Sequence, residues 1–148
     1  MPKRVEFGFN DPYHSPGFLL WRVSGAWQRA IRDALTDLDL THAQFVFMAN
    51  VAWQAARGEV TQVQVAQAIG MDAMTASSLA RGLEARGLLR RSEKTGDARA
   101  KRIALSESGL ELVRRAVPKV EAADIEFFAA LSGSAAFTAE LRRLLGVT

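Results

Sequence analysis

The sequence predicts a mainly α-helical protein with one small β-hairpin wing: a winged helix-turn-helix module embedded in a helical dimerisation region. Three observations carry this expectation. Two short helical patterns separated by a glycine run from Thr61 to Arg86. A basic two-stranded pattern follows, from Leu88 to Leu105. Long amphipathic segments flank both and exceed what so small a module needs for its own core.

The chain has 148 residues, 49% of them hydrophobic, which suits a single compact protomer. No run approaches the roughly 18 apolar residues of a membrane span, and MPKRVEFGFNDPYHSPG lacks the apolar core of a secretory signal. A cytoplasmic protein is expected. With no cysteine, disulfides, thiol redox sensing and thiolate zinc sites are excluded. His14 and His42 are far apart without ligand-spaced carboxylates, so neither a metal nor a cofactor is expected. Nor is an enzyme, since no nucleophile–base–acid set or glycine-rich phosphate loop is present. The net charge is only +3, but residues 86–102 carry seven basic side chains against Glu93 and Asp97, a local balance of +5 that leaves −2 for the rest. Such concentration is the footprint of a phosphate-binding surface.

In chain order, residues 1–15 read as an extended arm. Residues 16–39 begin with an amphipathic helix of about 20 residues, with Leu20, Val23, Trp27, Ile31, Ala34 and Leu38 on one stripe. Thr41 and Gln44 have capping-box spacing and precede a helix, Phe45 to about Arg57, that is apolar almost all round. Thr61 and Gln64 repeat the box and open a helix over Gln62–Ile69. Gly70 supplies the turn, Met71 packs inward, and Asp72 is the next N-cap. The helix Ala73–Arg86 buries Ala76, Leu79, Ala80 and Leu83. Its opposite face presents Met74, Ser77, Ser78 and Arg81, with Thr75 near its start, and fits a major groove about 12 Å wide. A merely solvated face would also select serine and arginine. Gly82 costs about 1 kcal/mol in a helix interior and suggests close packing or close approach to a backbone.

Gly87 ends this helix, and the strands Leu88–Arg91 and Ala100–Leu105 enclose a tip that projects Lys94 and Arg99, with Lys101 on the returning strand. A basic hairpin beside a groove-reading helix can enter the minor groove. Asp97 either orients Arg99 or is ordinary turn chemistry. Ser106 caps a helix from about Glu107 to Leu131, kinked near Arg114–Pro118 by the proline. A short helix containing Phe137, Leu141, Leu144 and Leu145 follows. Residues 16–39 and 107–148 are thus expected to pair two copies, around a module spanning residues 40–106.

The ordered set Leu40-Thr41-x-x-Gln44, helix-turn-helix, Leu83-Glu84-x-x-Gly87-Leu88-Leu89-x-Arg91, Asp97-x-Arg99 and Leu105-Ser106-x-x-Gly109 resembles the MarR (multiple-antibiotic-resistance regulator) family, over Pro16 to Leu145. The resemblance implies a homodimeric repressor, less often an activator, of a pseudo-palindromic double-stranded DNA operator. The helix Ala73–Arg86, with Thr75, Ser77, Ser78 and Arg81, would enter the major groove. Lys94, Arg99 and Lys101 would grip through the wing, with Asp97 holding Arg99 in the minor groove. It also implies a small aromatic or phenolic effector. His14, Trp21, Arg22, Trp27, Phe47 and Trp53 are the residues expected to meet it. Ser106 stands where the family more usually has threonine and keeps the capping hydroxyl. The alternative is a winged-helix protein-interaction module that does not read DNA.

Overall fold

Six helices and one antiparallel hairpin appear in a computed structural model that describes the backbone of residues 1–94 and 97–148 and the side chains of residues 1–92 and 101–148. The first helix, α1, spans Pro16–Leu35, capped by Ser15, whose hydroxyl accepts from the Phe18 N–H at 3.3 Å. The preceding arm is closed by a single 3-10 turn, Pro12–His14, rather than being extended throughout. Both capping boxes form. Gln44 N–H donates to the Thr41 hydroxyl at 3.1 Å while Thr41 N–H donates to Gln44 Oε1 at 3.0 Å, which starts α2 at His42, three residues earlier than its apolar pattern suggests. The same exchange at Thr61 and Gln64 opens α3, Gln62–Ile69. Helix α4 covers Ala73–Ala85.

Strands β1, Leu89–Lys94, and β2, Asp97–Leu105, pair Leu89 with Leu105 and Arg91 with Ile103, with an irregularity at Glu93/Lys94. The hairpin is also anchored on its outer edge. Ile103 N–H donates to the Val60 carbonyl at 2.9 Å, and Thr61 forms a bridge with Arg102. Helix α5, Glu107–Phe128, runs unbroken through Pro118, and α6 spans Ser134–Leu145.

One core joins these elements. Ile31 and Leu35 of α1, Phe47, Met48 and Val51 of α2, Val65 of α3, Ala80 and Leu83 of α4, Leu89 and Ile103 of the hairpin and Ala116 of α5 are all buried. The apolar helix α2 sits at the centre, as its sequence dictates. The stripe predicted on α1 is covered over only half its length. Ile31 and Leu38 are buried and Trp27 and Ala34 half-buried, but Leu20 and Val23 lie exposed, as does Trp21 beside them, and α6 buries no residue.

Candidate nucleic-acid interface

Helices α3 and α4 meet through Gly70, whose left-handed conformation (φ 69°) lets Met71 N–H return to the Ala66 carbonyl at 2.9 Å. A side chain here would oppose the conformation the turn needs. Asp72 then caps α4, accepting from the Thr75 N–H at 2.8 Å and from the Thr75 hydroxyl at 2.6 Å. Those bonds hold the Asp72 carboxyl below its ordinary range. Thr75, one of the predicted base contacts, has therefore committed its hydroxyl proton to the cap. It retains only acceptor capacity for anything outside.

The remainder of the predicted reading face is open. Ala76, Ala80 and Leu83 turn into the core, while Met74 (84% exposed), Ser78 and Arg81 face outward and Ser77 is half-buried. Ser77 and Arg81 are not independent, because Arg81 Nη1 donates to the Ser77 hydroxyl at 3.0 Å. Gly82 lies on the same outward side, and a Cβ built there would meet nothing within 4 Å. Packing within the chain does not explain this glycine.

The wing divides its positive charges. Arg91 is turned inward, donating to Glu84 at 3.2 Å and to Gln62 at 3.4 Å; Arg102 pairs with Glu59 at 3.0 Å; Arg86 reaches Asp39 at 3.8 Å and Gln44 at 3.4 Å. Among the described residues, Arg86, Arg91 and Arg102 of the seven basic side chains behind the +5 balance thus have an acidic partner. Arg90 and Lys101 are exposed, whereas Lys94, Asp97 and Arg99 lie outside the described side chains. Arg91 also holds the Glu84 carboxyl below its ordinary range, helped by the more distant charge of Lys101. Glu84 and Arg91, both members of the ordered motif set, tie α4 to the wing. Their separation of seven residues across the glycine that ends α4 was the available signal. Glu59 and Gln62, partners across 43 and 29 positions, gave none.

The six residues expected around an effector do not converge within one subunit. Phe47 is fully buried in the core. Trp53, 68% exposed, lies under the Arg57 guanidinium (5.8 Å to the ring centroid) and borders a hollow with Asn50, Gln54 and Gln64. Trp21 and Arg22 border a different groove of about 420 Å³ on α1, with Gln28, Arg29 and Arg32. His14 is exposed on the arm. Trp27 points inward, donating from Nε1 to Asp124 Oδ1 at 2.7 Å and meeting the His42 ring edge-on at 5.0 Å. Burial pushes His42 below its ordinary value, with the Arg32 charge adding to this and Asp124 opposing it. Among the described residues no His, Cys, Asp and Glu cluster could hold a metal ion, and no helix is long and apolar enough to cross a membrane.

Comparison with known proteins agrees with this geometry. The ArnR1-like winged-helix domain family matches residues 36–123, which span the α2–β2 module and most of α5. The HTH-type transcriptional regulator YdcH of Bacillus subtilis is 41% identical over 93% of this chain and 94% of its own. CouR from Rhodococcus jostii RHA1, solved bound to p-coumaroyl-CoA, is 30% identical with a TM-score of 0.79, covering 93% of each chain. Staphylococcus aureus MepR, solved as a DNA complex, is 25% identical with a TM-score of 0.81 over 89% of this chain and 97% of its own. The ordered motifs, the winged-helix geometry and these relatives agree, and the chain belongs to the MarR family of DNA-binding transcriptional regulators.

Proposed function

We propose that this regulator acts as a ligand-responsive repressor, a homodimer that sets two α4 helices into successive major grooves of a pseudo-palindromic operator. The carrying observation is the outward face of α4, where Met74, Ser78 and Arg81 are uncovered while every large apolar side chain opposite them is engaged. Ser77, Ser78 and Arg81 would supply sequence preference. Arg99, with Lys94 and Lys101 beside it and Asp97 steadying it, would grip phosphates and the minor groove. Half-site centres are then about 34–36 Å apart or a multiple of that.

Dimerisation is supported by the surface left bare on α1, α5 and α6, including Trp21 on α1, Ile125 and the terminal pair Leu144 and Leu145. Large apolar side chains left exposed on these three helices are what a second copy would cover. We place the pairing of subunits in residues 16–39 and 107–148, and the protein itself in the cytoplasm with its DNA. The ligand seen in CouR supports an aromatic effector; the Trp21–Arg22 groove, lying beside the bare surface of α1, offers it an aromatic wall and cations.

Light scattering at micromolar protein, joined to titration of genomic fragments against salt, tests this reading. A dimer whose affinity falls steeply with salt is expected. A monomer, or failure to retard any fragment at low salt, would overturn it. Arg99→Ala is expected to lower the salt slope by about one counterion.

A further inference from the structure

We infer that Ser77 is a positioning residue that braces Arg81 to read a guanine in each operator half-site. The inference rests on the proposed entry of α4 into the major groove. Ser77 and Arg81 stand one helical turn apart, and the Ser77 hydroxyl accepts from Arg81 Nη1 at 3.0 Å. Ser77 is half-buried against the body of the protein, whereas Arg81 is exposed. A partly fixed group therefore holds a free one.

The nature of the brace matters. Arg86, Arg91 and Arg102 each lie against a carboxylate. Among the described residues Arg81 has no acidic partner, so its charge is intact. A neutral hydroxyl occupies one of the five guanidinium N–H donors and leaves four. Two parallel donors are enough for the O6 and N7 acceptors of guanine, the pattern that arginine matches in the major groove. A carboxylate in the same place would cancel the charge and compete for the fork. The hydroxyl removes rotamer freedom before DNA arrives, so less ordering remains to be done on binding.

Selection from a random duplex pool, followed by titration of the selected duplex, tests the idea with wild type, Ser77→Ala, Ser77→Thr, Arg81→Ala and the double variant Ser77→Ala/Arg81→Ala. Circular dichroism establishes that each is folded. Ser77→Ala is expected to weaken binding by about two- to tenfold, the range of one hydrogen bond, and to blur a guanine preference that Arg81→Ala abolishes. Ser77→Thr, which keeps the hydroxyl, restores both. In the Arg81→Ala background the serine change adds nothing. If Ser77→Ala keeps wild-type affinity and motif while Arg81→Ala changes them, the brace is refuted and the reading face stands. Additive losses in the double variant also refute it, giving Ser77 a DNA contact of its own. If Arg81→Ala returns the wild-type motif, the reading by this face of α4 has itself failed.

Discussion

Replacing Gly109 by alanine probes the joint between α5 and the connection from α4 to β1. Gly109 is the third residue of α5, and its N–H donates to the Ser106 hydroxyl at 3.0 Å. That hydroxyl donates in turn to the Gly87 carbonyl at 2.6 Å, while Ser106 N–H donates to the Leu88 carbonyl at 3.0 Å. A Cβ on Gly109 would collide with the Leu88 carbonyl oxygen and stand 3.1 Å from its carbon. Both obstacles are backbone, so no rotamer change relieves them. Overpacking costs about 1–3 kcal/mol. Displacing Leu88 also strains one or two hydrogen bonds at about 0.5–1.5 kcal/mol each. Alanine's better helix propensity returns about 1 kcal/mol. At mid-range values the net loss is about 2.5 kcal/mol, which lowers Tm by roughly 5–10 °C in a domain of this size. Thermal melts followed by circular dichroism at one protein concentration measure it. A Tm within about 2 °C of wild type would refute the reasoning, because the collision would then be absorbed without cost.

Gly82→Ala makes the opposite case. With open space around its Cβ, it is expected to raise stability by about 0.5–1 kcal/mol, seen as a higher Tm or urea midpoint. A weaker grip on selected DNA by the same stabilised variant would show that the glycine serves the approach to the duplex. His42 supplies a pH dependence. Its pKa in the folded protein is lowered from 6.5 chiefly by burial, so the unfolded chain binds more protons in the window between the lowered value and 6.5. Stability is full above about pH 6.5 and declines as pH falls through that window. His42→Gln is expected to flatten that part of the pH profile in urea titrations, and an unchanged profile would assign the dependence elsewhere. Asp124→Asn leaves an acceptor for the Trp27 indole but removes the charge, whereas Asp124→Leu removes both; in urea titrations the stability loss is expected to be larger for leucine than for asparagine by about 1 kcal/mol if the bond between α1 and α5 is what matters.

The legibility of the chain followed the range of the forces involved. Local interactions were readable. Both capping boxes bind as their spacing required, Asp72 caps α4, and α3 spans the residues its pattern marked. The hairpin was readable from alternation and from the glycine that ends α4. Long-range pairings were not. Nothing in Trp27 announces Asp124, 97 positions away, and the arginine count of the wing did not say which guanidinium groups face acids. Summed charge overstated the free charge because Arg86, Arg91 and Arg102 each have a carboxylate within 4.0 Å. The effector residues failed to gather for a related reason. Aromatic composition marks what is worth burying, and Phe47 is buried in the core while Trp21 lies on a face that one subunit leaves bare.

The wiring of the module bears on how an effector would act. Glu84 and Arg91 bind α4 to β1, and the hydrogen bonds from Ser106 to Gly87 and Leu88 bind the start of α5 to the start of the same strand. Helix α4, the start of β1 and α5 are therefore one hydrogen-bonded block, with Leu83, Leu89 and Leu105 packed in its core. A ligand that wedges α1 from α5 would not need to deform the reading face. Moving α5 carries the block with it, and if two subunits are held through their terminal segments, as proposed, a small rotation of each block changes the distance between the two α4 helices. Groove spacing on the duplex is fixed, so a mismatch of a few ångströms removes contacts in one half-site while leaving each module intact. The expected signature is loss of palindrome binding by liganded protein with little loss of single half-site affinity. Equal losses on both duplexes would place the effector's action inside the module instead.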